Sequence, residues 1–298
     1  MIQDISITPG ELPEPPPSGP EPEPECLHHY TDVGGLLGIV KNKCLWASDV
    51  WFMNDAREAL YGLDVIGRVL TSRTPASNAE GAVLKKAADL LPRLREQDAL
   101  HSYIACLSKK DDQLSQWRAY GRPRGFSIGF DRRKLESLNS LVLALGKPIY
   151  RNVSYDVAVQ DGMINMWLQT ALSHLPATPT TTETDSAAWT FLVNSLILIP
   201  AFKDQAFKEE QEVRLQVFHD RSVATSGALH FRNGAMGLTP YIEIPLKDPS
   251  TDKMTVMREV IVGPQHNQEE ALRAVRQLLD QYGLTNVRVK PSKIPLRP

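Results

Sequence analysis

EVRLQVF (residues 212–218), ALHFR (228–232), YIEIPL (241–246) and MREVIVG (257–263) follow one another in the last third of the chain. Each shows the period-two alternation and the β-branched or aromatic content of a strand. A helical pattern, QEEALRAVRQLLDQYG (268–283), and a last strand-like run, NVRVKP (286–291), close the sequence. Strands that outnumber helices here, with an irregular alternation of strands and helices upstream, predict an α+β fold rather than a doubly wound parallel sheet.

Working outward, LHHYT (27–31) is β-prone, and Asp32 is placed to cap a helix whose apolar set is Val33, Leu36, Leu37 and Val40. CLWAS (44–48) reads as a strand and WFMND (51–55) as a turn, with helices over about 56–70 and 82–94 beyond them. HSYIACLS (101–108) and GFSIGF (125–130) read as strands around a short helix, DQLSQWRAYG (112–121), that Gly121 ends. IYRNVSY (149–155) is a strand and VQDGMINMWLQTAL (159–172) a helix. A polar loop, HLPATPTTTETD (174–185), then precedes a buried apolar helix, AAWTFLVNSLIL (187–198).

Residues 1–26 are rich in Pro and Glu and hold six acids but no Lys or Arg, with little apolar area to offset the entropy of ordering. They predict a disordered acidic tail ahead of a single α+β domain over 27–298. Removing those six from the 35 acids leaves 29 against 33 bases, a mildly cationic remainder that permits an anionic ligand. No apolar run approaches the ~18 residues of a membrane span, and the N-terminus lacks a signal-peptide pattern, so the expected location is the cytoplasm. Three cysteines without a CxxC pair, and histidines without metal-ligand spacing, predict neither disulfides nor a structural metal.

The strongest chemical signal lies in KEEQEVRLQVF (208–218). If Val213, Leu215 and Val217 face a core, strand alternation puts Glu210, Glu212 and Arg214 on the opposite face. The plain reading is a solvated face with an internal salt bridge. The functional reading is a pair of carboxylates that flanks a developing cation, with Arg214 holding one of them ionised. On either reading Glu212→Gln is expected to fold normally. LHHYT puts His29 and Thr31 on one face of its strand, as a satisfied edge histidine or as a ligand-facing one. Arg118, Arg122, Arg124, Arg132, Arg133 and Lys134 form a basic segment that reads as a solvated surface or as a site for phosphate or nucleic acid. Asn54, Asp55 and Glu58 sit at a helix start and read first as caps. Residues 125–129, around Ser127, are not read as a nucleophile elbow.

The order of these pieces resembles a known family. HYT (29–31), LWASD (45–49), Asn54-Asp55-x-x-Glu58, CLS (106–108), Trp117-x-x-Tyr120-Gly121, GFSIGF, Glu210-x-Glu212-x-Arg214 and VIVGP (260–264) together look like the bacterial and phage family DUF2971, over roughly residues 27–264. A looser similarity is to ADP-ribosyltransferases, which cleave the nicotinamide–ribose bond of NAD. A strand-borne histidine followed by a helix, and a late Glu-x-Glu on a strand, carry it. That similarity implies an NAD-consuming enzyme, an effector of bacterial defence or toxicity that acts on a macromolecular acceptor, with NAD as co-substrate and no metal. It implies His29 on a ribose, Glu212 at the oxocarbenium-like centre, Glu210 orienting the acceptor, and Thr31, Tyr120, Trp117, Ser127 and Arg214 completing the cofactor site. Two other readings stand beside it. One is a nucleic-acid-binding or nucleolytic defence component that uses the Arg118–Lys134 segment, with Glu58, Glu210 and Glu212 as metal ligands. The other is a non-enzymatic interaction domain.

Overall fold

The computed structural model describes residues 24–53, 56–96, 101–121, 124–139, 148–219, 227–234 and 237–295. Among these residues ten strands form one mixed sheet. They are β1 (Cys26–Thr31), β2 (Cys44–Asp49), β3 (His101–Ser108), β4 (Phe126–Asp131), β5 (Ile149–Asn152), β6 (Glu212–His219), β7 (His230–Gly234), β8 (Gly237–Pro245), β9 (Met257–Val262) and β10 (Arg288–Pro291). The helices are α1 (Val33–Asn42), α2 (Ala56–Ser72), α3 (Asn78–Glu96), α4 (Leu114–Tyr120), α5 (Arg132–Asn139), α6 (Val157–Ser173), α7 (Thr181–Leu198) and α8 (Gln268–Gln281). The main path runs β10-β9-β4-β1-β3-β2-β8-β7, with β6 on β3 and β5 on β6. Pairing is antiparallel except for β9 with β10, which α8 connects as a crossover. The α+β expectation is met.

Local signals account for most elements. Asp32 accepts from the Gly35 amide and starts α1, and Gly121 closes α4. Helix α7 begins at Thr181, inside the stretch read as a polar loop. Thr180 and Glu183 form a reciprocal capping box, which starts the helix among polar residues before its apolar face begins. Helix α5 over Arg132–Asn139 falls in the segment read as a basic patch; it is short, polar and starts directly from the end of β4. Strand β1 takes in Cys26, one residue earlier than the expected domain start, whereas residues 1–23 of the acidic tail lie outside the described residues.

Two large apolar cores form among the described residues, beside two small clusters around Trp117 and Ile104. One lies against a face of the sheet and joins Leu27, Leu45, Ile128, Leu215 and Val260 to residues of α1, α5 and α8. The second fills the inside of a helical layer, where Leu63, Ile66, Phe191, Leu192 and Phe202 meet among α2, α3, α6 and α7. Between this layer and β6 runs a polar seam. Arg214 donates to Pro200 O at 2.9 Å, Gln216 Nε2 donates to Ser102 Oγ at 2.9 Å, and Gln160 Nε2 donates to Lys203 O at 3.0 Å. Gln216 Nε2 also donates to Ile197 O at 3.3 Å, so all three side chains satisfy backbone carbonyls where the helical layer meets the sheet.

On the outer strands a further polar cluster depends on a glycine. His28 lies 3.3 Å from Ser127 Oγ, and Glu259 is held by Arg288 and Lys290 at 3.0 Å each. A Cβ on Gly129 would come within 2.8 Å of both Glu259 Cγ and His28 Cε1. Gly129→Ala is therefore expected to cost about 1–3 kcal/mol through overpacking, read as a lower denaturation midpoint. An unchanged midpoint would show that this cluster yields freely.

Candidate functional site

The site is a gap in the sheet. Strand β3 pairs with β6 along its whole length, from His101↔His219 to Ser108↔Glu212. On its other edge it meets β2 at Tyr103 and Ile104, and β1 at Ser108. Ala105, Cys106 and Leu107 therefore face a break where β1 and β2 diverge. The carbonyl exposed by this divergence is satisfied by a side chain, because His29 Nδ1 donates to Cys106 O at 2.9 Å. Burial lowers the pKa of His29 against the support of that hydrogen bond, so the ring is neutral with its proton on Nδ1. Nε2 is then the acceptor.

A cleft of about 520 Å³ opens at this break. His29, Thr31, Tyr120, Glu210 and Glu212 line it, and α1 contributes Gly34, Gly35 and Gly38. Five of the predicted site residues, drawn from β1, α4, the 3-10 turn at Gln205–Glu210 and β6, thus share one cavity. A shallower depression of about 480 Å³ next to it, on Gln113, Leu114, Ser115, Arg118, Ala119 and Glu209, contains none of the five.

The two carboxylates differ from the expected arrangement. Glu212 and Arg214 do share a strand face, but that face is buried: Glu212 is 6% exposed and Arg214 1%. The solvated-face reading is corrected by the helical layer that covers β6. Arg214 grips Glu212 with two parallel bonds, Nε to Oε1 at 2.8 Å and Nη2 to Oε2 at 2.9 Å. Glu210 precedes the strand, on the 3-10 turn, and Gln211 at φ 44° turns the chain into β6. Lys203 Nζ bridges the pair, 2.6 Å from Glu210 and 3.4 Å from Glu212. An ammonium group therefore stands where the metal-ligand reading of Glu210 and Glu212 would put a cation. Asn54 and Asp55 lie outside the described residues, and so does the side chain of Glu58. Among the described residues no group of three or more His, Cys, Asp or Glu is placed to hold a metal.

Burial works against the Glu212 charge, but Arg214 and then Lys203 overcome it and hold the carboxyl down at about 2. A carboxyl depressed in the folded state contributes stability above its unfolded value, near 4.5, and loses it as the pH falls toward 2. Stability followed by denaturant titration should fall through that window. The fall should be shallower by up to one proton in Glu212→Gln, and an identical slope in both proteins would remove Glu212 from the acid transition.

Three predicted cofactor residues stand outside the cleft lining. Trp117 is 5% exposed, packs edge-on against Tyr30 at 4.9 Å and donates Nε1 to Asp112 at 2.7 Å, so it is a packing residue. Arg214 stands behind Glu212 and also donates to Pro200 O. Ser127 is fully buried as the second residue of β4. Residues 125–129 do spell Gly-x-Ser-x-Gly, yet a nucleophile elbow needs its serine exposed on a strand-to-helix turn. The neighbouring His28 lies 4.0 Å from Glu259, too far for a hydrogen bond. The basic segment is divided as well: Arg118 and Arg124 precede the six residues of β4, whereas Arg132, Arg133 and Lys134 follow it on α5, roughly 20 Å along the strand. Arg132 is paired with Glu136 at 2.7 Å, and Arg122 lies outside the described residues.

The sequence reading missed Trp46, Ser48, Gln116 and Arg232, which also line the cleft. The alternation of Cys44, Trp46 and Ser48 opposite the core residues Leu45 and Ala47 was the available signal for β2. Arg232 carried none, because it reaches the cleft through the order of strands in the sheet.

The segment from α4 to β6 holds Tyr120, Lys203, Glu210, Glu212 and Arg214, and comparison with protein families matches residues 116–215 to "Protein of unknown function (DUF2971)". That segment is similar to DUF2971. The carboxylate wall of the cleft therefore lies within the DUF2971 match, whereas His29 and Thr31 come from outside it. Neither the curated proteins nor the solved structures compared with the chain give a match. Among the described residues no helix is long and apolar enough to cross a membrane.

Proposed function

We propose that the protein is an NAD-consuming, ADP-ribosyltransferase-like enzyme whose reaction takes place in the cleft where β1 and β2 part from β3. The observation that carries this reading is the convergence on one cavity of His29, Thr31, Tyr120, Glu210 and Glu212. The residues fit the dinucleotide: the volume lies within the roughly 300–1,000 Å³ of small-molecule sites, and the lining combines an aromatic ring, a neutral imidazole acceptor and two carboxylates. Bound there, NAD supplies a nicotinamide–ribose bond whose cleavage builds positive charge at the anomeric carbon.

The chain's own groups suit that charge. Glu212, fixed and ionised by Arg214 and Lys203, contributes a preorganised negative field that needs no reorganisation during reaction. Glu210 is the more exposed of the pair and is the carboxylate better placed to approach a reactant. His29 Nε2 accepts a ribose hydroxyl, with Nδ1 anchored on Cys106 O. Tyr120, 39% exposed, offers its ring to nicotinamide. Incubation of the purified protein with NAD should release nicotinamide, and the absence of any release under a range of acceptors and pH would remove the proposal.

A further inference from the structure

The carboxylate end accounts for only half of the cleft. At its other end, β2, β8 and β7 present a row of rings on the same sheet face. Trp46 stacks on Tyr241 with centroids 4.6 Å apart and a 35° tilt, and Tyr241 in turn meets His230 at 5.5 Å. Tyr241 is buried and backs the row, whereas Trp46 keeps 39% of its surface exposed and lines the cleft. Beside it is Arg232, whose Nη2 donates to Ser48 Oγ at 2.9 Å. Its Nε is buried and meets no acceptor among the described residues, and no carboxylate among them pairs with this guanidinium. In the same cleft, Glu210 and Glu212 are both paired.

We infer that this end is a nucleotide subsite, in which a base lies on the exposed face of Trp46 and its phosphate is taken by Arg232 and Ser48. A planar ring is what an exposed indole held from behind recognises. A guanidinium fixed by a neutral hydroxyl and ion-paired with no described carboxylate is a receptor for phosphate oxygens. The two features adjoin, so the ligand carries ring and anion together. Spacing agrees with a ligand longer than one nucleotide. Ser48 pairs with Ile104 and Glu212 with Ser108, so the two ends of the cleft are four residues apart on β3, about 13 Å. The subsite does not depend on glycosyl transfer, and binding tests it separately from nicotinamide release.

The probe is AMP, titrated calorimetrically into the full-length protein. Trp46→Ala and Arg232→Ala should each weaken AMP binding roughly ten-fold or more while melting within a few degrees of wild type, since Trp46 is 39% exposed and Arg232 is held by one neutral hydrogen bond. Arg232→Lys should recover part of the affinity, and adenosine should bind wild type more weakly than AMP and ignore Arg232→Ala. Displacement of AMP by NAD would assign the subsite to the adenylate half of a dinucleotide, whereas displacement by a single-stranded oligoadenylate would assign it to a nucleic-acid strand; either supports the subsite. Wild type that binds no AMP at millimolar concentration, variants that bind as tightly as wild type, or adenosine that binds as tightly as AMP would overturn it.

Discussion

Glu212→Gln should lower the melting temperature by on the order of 10 °C. Substitution removes the charge that compensates Arg214, which is 1% exposed, and takes from Lys203 one of its two carboxylate partners. Breaking a buried pair by removing one partner costs about 3–5 kcal/mol, because the other charge stays in a medium that solvates it poorly. At roughly 2–4 °C per kcal/mol for chains of 150–250 residues, this gives the expected shift. Read from strand alternation alone, the same substitution folds normally and loses at most a surface salt bridge, worth about 0–1 kcal/mol. Thermal melts separate the two. A second variant isolates the cause: Glu212→Leu combined with Arg214→Met removes both charges and should recover most of the loss. A single variant that melts within about 2 °C of wild type would show that this pair is not closed to solvent.

Because Glu212 holds the fold as well as the field, Glu210→Gln is the cleaner probe of chemistry. Glu210 lies on the turn before β6, is partly exposed, and leaves Lys203 still paired with Glu212 when its charge is removed. The variant should melt within a few degrees of wild type and release nicotinamide on the order of 10²–10³ more slowly, the scale on which one preorganised electrostatic group contributes to rate. Unchanged release from a folded Glu210→Gln protein would exclude this carboxylate from the reaction. Equal loss of rate and of stability would return it to a structural role beside Lys203.

What the sequence by itself determined was the set of elements and the side chains that each face offers. Period-two runs at β1, β3, β6 and β9, the cap at Asp32 and the stop at Gly121 are local signals, and local backbone preference with alternation was enough to read them. The pairing of Glu212 with Arg214 was legible for the same reason, since residues two apart on a strand must share a face. Where that face points was not legible. Whether EVRLQVF presents its charges to water or to the inside depends on α7 and the turn at residues 199–201 lying over it, and no residue within the strand records that. The cleft is likewise a product of tertiary structure. It exists because β1 and β2 diverge from β3 and a side chain, His29, takes the Cys106 carbonyl. Trp46, Ser48 and Arg232 join it through the order β3-β2-β8-β7, which brings together residues far apart in the chain. Alternation specifies which residues share a face, but only the assembled sheet and its covering helices decide which faces become a core, a seam or a site.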